Sequence, residues 1–147
     1  MSDSPLEVLD PGACMELLRS NFVGRIAFDL DGYPVVFPVN YLFIEDAKPW
    51  LMLRTKPGSE LGSGSRRVGF QIDGVDPIHH SGWSVLARGE TREINDQALP
   101  ELRDRPALQS WMPPGWNTWL AIDIVAVSGR RLHEPEGLWA FDVRGYR

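Results

Sequence analysis

Between Val23 and Leu30 apolar and polar residues alternate, with Ile26, Phe28 and Leu30 on one face and Arg25 and Asp29 on the other. A period of two predicts a β-strand. Asp31-Gly32 is a hairpin-turn signal. The next stretch, Pro34 to Ile44, is apolar on both faces: Val35, Phe37, Val39, Tyr41 and Phe43 against Val36, Pro38, Leu42 and Ile44. That pattern predicts a strand with the core inside and further cover outside. Pro38 has no N–H to give a ladder, so the strand should be irregular or at an edge there. Glu45 to Pro49 reads as a turn and Trp50 to Thr55 as a third strand. Arg67 to Asp73 is a fourth, with Val68, Phe70 and Ile72 in step, and Asp76 to Gly82 a connecting loop. Trp83 to Ile94 predicts a long fifth strand with a polar, solvated half from Arg88 to Arg92. Trp119 to Val127 is a sixth, which Gly129 to Leu132 extends or follows, and Leu138 to Val143 is a candidate last strand.

Helical signals are short. Asp10 is placed to cap a helix over Pro11 to Ser20, with proline in the first turn, where its missing N–H costs nothing, and Leu9 positioned as a staple. Pro57-Gly58-Ser59 can begin a second short helix ending in Gly62-Ser63-Gly64-Ser65, and Asn95-Asp96 can cap a third through Leu102. Trp111 to Trp116, with two prolines and a glycine, suits no regular element. Six or so strands with small helices predict a mainly β domain of small-barrel type. Helices do not follow the strands regularly, which argues against a doubly wound parallel sheet. No repeat, linker or low-complexity tract divides residues 1–147, so one domain is expected.

Composition narrows the partners. Apolar residues are 43% of the chain and charged residues 24%, the balance of a folded protein. A net charge of -5 gives no general attraction to nucleic acid or an anionic membrane, so an anionic ligand would need a local basic pocket. No apolar run is long enough to span a bilayer, and the acidic start Met1-Ser2-Asp3-Ser4-Pro5 leads into no signal region, so a cytoplasmic location is expected. Cys14 is the only cysteine, which excludes an intrachain disulfide and a cysteine-cluster metal site, and fits an inert, partly buried thiol. Six tryptophans suit a core, a subunit interface or a planar ligand.

Chemistry is sparsely signalled. His79 and His80 are adjacent and His133 is remote, without zinc-site spacing, so no metal site is expected and the pair belongs in a loop. Serine-hydrolase elbow, paired glycosidase carboxylates, dinucleotide glycines and Walker loop are all absent. Arg54-Thr55-Lys56-Pro57-Gly58-Ser59 combines two cations, two hydroxyls and the N–H groups of a starting helix, which suits a phosphate, with Arg66 and Arg67 close behind. A solvated strand end accounts for the same residues.

The order Gly24-Arg25-Ile26-Ala27-Phe28, Pro38-Val39-Asn40-Tyr41, Arg54-Thr55-Lys56-Pro57-Gly58-Ser59, Gly82-Trp83-Ser84-Val85 and Gly129-Arg130-Arg131 resembles the pyridoxamine 5'-phosphate oxidase-like family, and most of all its small actinobacterial-type members. The resemblance covers about residues 6–132 and leaves a tail, 134–147, outside it. It implies a six-stranded antiparallel split β-barrel of the FMN-binding type, working as a homodimer. FMN, or in some branches the deazaflavin F420, would lie in a groove between subunits. Carried over, Arg54, Thr55 and Lys56 match the phosphate end, and Ser59 the start of the helix facing it. Pro38, Val39, Asn40 and Tyr41 match the strand beside the ring system, and Trp83 and Ser84 help shape the pocket. Where many relatives have lysine after Gly-Ser, this chain has Glu60, which repels a phosphate unless Arg66 or Arg67 offsets it. Three readings follow: an FMN-dependent oxidoreductase acting on a small organic substrate, an F420-dependent reductase, or a dimer without turnover and with no cofactor or only a bound one. The apolar surplus of Pro34 to Ile44 and Trp111 to Trp119 predicts a homodimer.

Overall fold

A computed structural model describes residues 4–55, 61, 64–94 and 118–134. In chain order the described elements are β1 (Leu6–Leu9), α1 (Pro11–Arg19), β2 (Val23–Leu30), β3 (Tyr33–Ile44), β4 (Trp50–Thr55), β5 (Arg67–Asp76), β6 (Ser81–Glu93) and β7 (Thr118–Leu132). All strand pairings are antiparallel, in the order β1-β7-β4-β3-β2-β5-β6, and β6 pairs back onto β7. Six strands therefore close a ring, and β1 adds a seventh by pairing with the C-terminal part of β7. The sequence pattern shows six strands; Leu6–Leu9 is too short and too exposed to show a period, and only the length of β7 gives it a partner.

Side-chain alternation sorts each strand into an inner and an outer row. Ile26, Phe28, Tyr41, Leu51, Leu53, Phe70, Ile72, Val85, Ala87, Leu120 and Ile122 fill the ring. Outside it, Ile44, Met52, Ile94 and Ala121 form a second apolar cluster with Leu42, Trp50 and Trp119 packed on it. This explains part of the two-sided apolar pattern of β3: its C-terminal half is covered on both faces. Val36, Pro38 and Tyr33, toward its start, stay exposed in the single chain.

Local chemistry sets the element ends. Asp10 accepts a hydrogen bond from the Ala13 N–H at 2.8 Å and caps α1, with Pro11 in the first turn. Asp31 and Gly32 take positive φ values of 52° and 83°, as a tight hairpin between β2 and β3 requires. Pro38 pairs with Arg25 on β2, whereas the ladder to β4 begins only at Tyr41, so both prolines of β3 lie where one side is unpaired. β5 and β6 run on to Asp76 and Ser81, shortening the predicted loop to residues 77–80. Asp76 stabilises that turn by accepting from the N–H groups of Ile78 and His79, each at 3.1 Å. The polar half of β6 is not uniformly solvated: Arg88, Glu90 and Arg92 face out, while Gly89 and Thr91 are buried. Val125 is the extra residue of a bulge opposite Arg88 and Gly89, and β7 continues through it to Leu132. The predicted helices at Pro57 and Asn95, the irregular Trp111 to Trp116 and the candidate last strand lie outside the described residues.

Candidate functional site

Two groups of predicted residues lie at opposite ends of β7. At its start, register places Arg54 beside Trp119, and the guanidinium carbon stands 5.2 Å from the Trp119 ring centroid. This is a cation–π geometry. The β3–β4 ladder ends at Tyr41 and Leu53; one step further, register sets Asn40 across from Arg54 and Val39 across from Thr55. Asn40, Arg54 and Trp119 thus form one cross-strand row on the outer face. Asn40 is only 8% exposed, and its amide nitrogen reaches the Phe22 carbonyl at 3.4 Å.

Thr55 follows Arg54 in sequence but points the other way, sharing the inner parity of Leu51 and Leu53. Its Oγ1 is buried without a hydrogen-bond partner among the described residues. An unsatisfied buried hydroxyl costs on the order of 1–3 kcal/mol, so the end of β4 carries unmet hydrogen-bonding capacity. Tyr41 also faces inward. Its ring meets Phe70 edge-on at 4.8 Å, its hydroxyl donates to the Leu18 carbonyl at 2.7 Å, and burial raises its pKa. Tyr41 therefore links β3 to α1 from within the core. Pro38 stands exposed on the outer face, and Val39 packs against the inner core. Lys56, Ser59 and Glu60 lie outside the described residues. Arg66, proposed above to offset Glu60, donates to the Asp29 carbonyl at 3.1 Å and lies 5.5 Å from the Phe28 ring centroid.

At the far end, Trp83 and Ser84 open β6, and they too face opposite ways. Trp83 packs on the inner core; Ser84 lines an outer cleft of about 630 Å³ with Gln71, His80 and Arg130. On the inner side Gly74, Trp83 and Arg131 form one row and line a cleft of about 510 Å³. A Cβ on Gly74 would fall 2.6 Å from Trp83 Nε1, so the glycine lets the indole lie against β5. All three histidines gather at this end. His79 Nδ1 is 2.7 Å from Asp76 Oδ2, His133 Nε2 is 2.6 Å from Glu7 Oε2, and His80 holds a positive φ of 46° in the turn. Hydrogen bonding to Asp76, then its charge, raises the His79 pKa; the same contact holds Asp76 below its usual value. Sequence pattern missed Trp119, Gly74 and Arg131 as site residues; only cross-strand register brings them beside Arg54 and Trp83.

From Trp119 to Arg131 is twelve residues along β7, on the order of 40 Å of strand at about 3.3 Å per residue. Arg54 and Trp83 therefore stand beside opposite ends of β7.

Comparison with known proteins places these features in a family. The family model described as pyridoxamine 5'-phosphate oxidase matches residues 10–131. An uncharacterized protein of Mycobacterium tuberculosis is 29% identical over 133 residues, 84% of each chain. Among solved structures, an FAD-binding protein from Mesorhizobium loti superposes with a TM-score of 0.70 at 28% identity, covering 86% of this chain and 97% of the other. An FAD-binding protein from Mycobacterium smegmatis gives 0.64 at 26% identity, with the same coverages of 86% and 97%.

Proposed function

The chain belongs to the pyridoxamine 5'-phosphate oxidase family, and on that premise we propose that it is a flavin-dependent oxidoreductase of split-barrel type that acts on a small organic substrate. FMN is the proposed cofactor, held between two copies of the chain. The row of Asn40, Arg54 and Trp119 carries this reading: an amide, a guanidinium and an indole stand side by side on an outer face whose neighbours Val36 and Pro38 are exposed and apolar. Such a donor set suits a planar, phosphate-bearing ligand. The names of the FAD-binding relatives support a flavin.

A bound flavin would supply the hydride-transfer chemistry, so no acid or base need stand out among the side chains. Arg54 holds the phosphate, its guanidinium lying over the Trp119 ring. Asn40 orients the group beside it. Trp83 belongs to the second copy's share of the pocket, because a single mononucleotide cannot reach both ends of β7. Neither His79 nor His133 is assigned a proton-transfer role, since each is engaged by a carboxylate.

The test is equilibrium titration of purified protein with FMN, FAD, F420 and riboflavin, which lacks the phosphate. FMN should bind well above riboflavin. Arg54→Ala should weaken FMN by about thirtyfold or more, the equivalent of roughly 2–5 kcal/mol for a charge-assisted contact in a protected site, and leave riboflavin unchanged. Glu60→Lys should tighten FMN and not riboflavin. Absence of flavin binding removes the reading. Tight F420 binding without FMN binding transfers it to a deazaflavin reductase.

A further inference from the structure

Among the described strands only β3 contains proline, and it contains two, Pro34 and Pro38. The hydrogen bonds around them set which way each faces. The Tyr41 N–H donates to the Phe22 carbonyl at 3.0 Å, on the β2 side. In an antiparallel ladder the N–H and C=O of one residue point to the same edge, and successive residues point to opposite edges. Tyr33, Val35, Phe37 and Val39 therefore bond to β2, whereas Pro34, Val36, Pro38 and Asn40 turn their backbone groups the other way. No strand lies on that other edge among the described residues: β4 leaves β3 after the Tyr41–Leu53 pair and stays with β7 as far as Thr55. Neither proline costs the β2 ladder a bond, and both fall where a further strand would seek a donor. Little else on β3 would keep such a strand away. From Tyr33 to Ile44 it carries no charged side chain, and Tyr33, Val36 and Phe37 stand exposed. An uncharged strand of β-branched and aromatic residues with an open edge is a template for pairing with its like.

We propose that Pro34 and Pro38 guard the open edge of β3: they bar a second copy of the chain from adding its own β3 there as a neighbouring strand. Proline has no N–H to give a ladder. The donors left on the edge, Val36 and Asn40, are separated by Pro38, so no two successive ladder positions can be completed. A partner can then cover this strand only through its side-chain faces. The guard needs one chain and no flavin, so it stands apart from the flavin reading.

The test restores the missing donors. The double variant Pro34→Val/Pro38→Val and each single variant are compared with the unmodified protein by light scattering, from micromolar to submillimolar concentration, and by amide hydrogen exchange read at Val36. The unmodified protein should hold one mass over that range. The double variant should gain mass with concentration, and its Val36 N–H should exchange more slowly by roughly tenfold or more as the strands join. Circular dichroism of the dilute samples checks the fold. Adding Val36→Lys to the double variant places a charge on the restored edge and should return the mass to the unmodified value. If the double variant is too insoluble to measure, the single variants, each restoring one donor, decide the question by the same two readouts. A mass independent of concentration in the restored variants, or association that leaves Val36 exchange unslowed, overturns the proposal.

Discussion

Arg54 and Thr55 are neighbours in sequence and belong to different faces of the sheet. Read along the chain, Arg54 to Ser59 is a single basic, hydroxyl-rich run. Read across the sheet, Arg54 joins Asn40 and Trp119 outside while Thr55 turns into the ring. Trp83 and Ser84 divide in the same way. The alternation that predicted the strands already implied this split; the cross-strand neighbours were hidden because they depend on register. Two predictions belong here. Thr55→Val removes a buried hydroxyl that has no partner among the described residues and preserves its shape, so it should stabilise the ligand-free protein by about 1 kcal/mol; urea unfolding measures it, and a loss of stability would show that the hydroxyl is satisfied. The second is a pH dependence. Asp76 raises the His79 pKa, so the pair's contribution through His79 is fully present below its unfolded value of about 6.5 and is lost as pH rises through the folded value. Through Asp76, whose pKa is lowered, stability is present above an unfolded value of about 3.9 and lost as pH falls through the folded value. Both terms are therefore held together between those unfolded values, in mildly acid solution. An NMR titration should place the His79 midpoint above that of a free histidine, and Asp76→Asn should return it downward; an unmoved midpoint would refute the coupling.

At the scale of elements, the long strands were legible because one face of each is buried, which forces a period of two. β1 was not legible, being four residues whose partner lies more than a hundred positions away. The bulge at Val125 was hidden as well, since it exists only relative to β6. Gly24 shows how closely the elements fit: a Cβ there would fall 2.3 Å from Phe70 Cζ, at the centre of the core. Gly24→Ala should destabilise by about 1–3 kcal/mol through overpacking. The Tyr41 hydroxyl holds the C-terminal turn of α1 to β3 through the Leu18 carbonyl. Tyr41→Phe leaves that carbonyl without the donor and should cost about 1–3 kcal/mol. Chemical denaturation measures both, and a change below about 0.5 kcal/mol in either would mean that the site relaxes around the substitution.

For the whole molecule, the separation of Arg54 from Trp83 along β7 makes a specific demand on assembly. If both serve one flavin, each site must take Arg54 from one copy and Trp83 from the other. Light scattering should then report about twice the 16.6 kDa chain mass, and a monomer at micromolar concentration would refute the shared site. A stricter consequence follows from symmetry. Arg54→Ala and Trp83→Ala homodimers each carry a lesion in both sites. In a mixed dimer of the two variants, one site receives both lesions and the other receives none, because the intact Arg54 and the intact Trp83 come from opposite copies. Co-expression under two affinity tags isolates that mixed dimer. It should bind one FMN per dimer at the affinity of the unmodified protein, while each variant homodimer binds weakly at both sites. If the two residues instead act within one chain, every site of the mixed dimer holds one lesion and no high-affinity site returns. The FMN stoichiometry of the mixed dimer therefore decides between a site built by two chains and two unrelated surfaces of one.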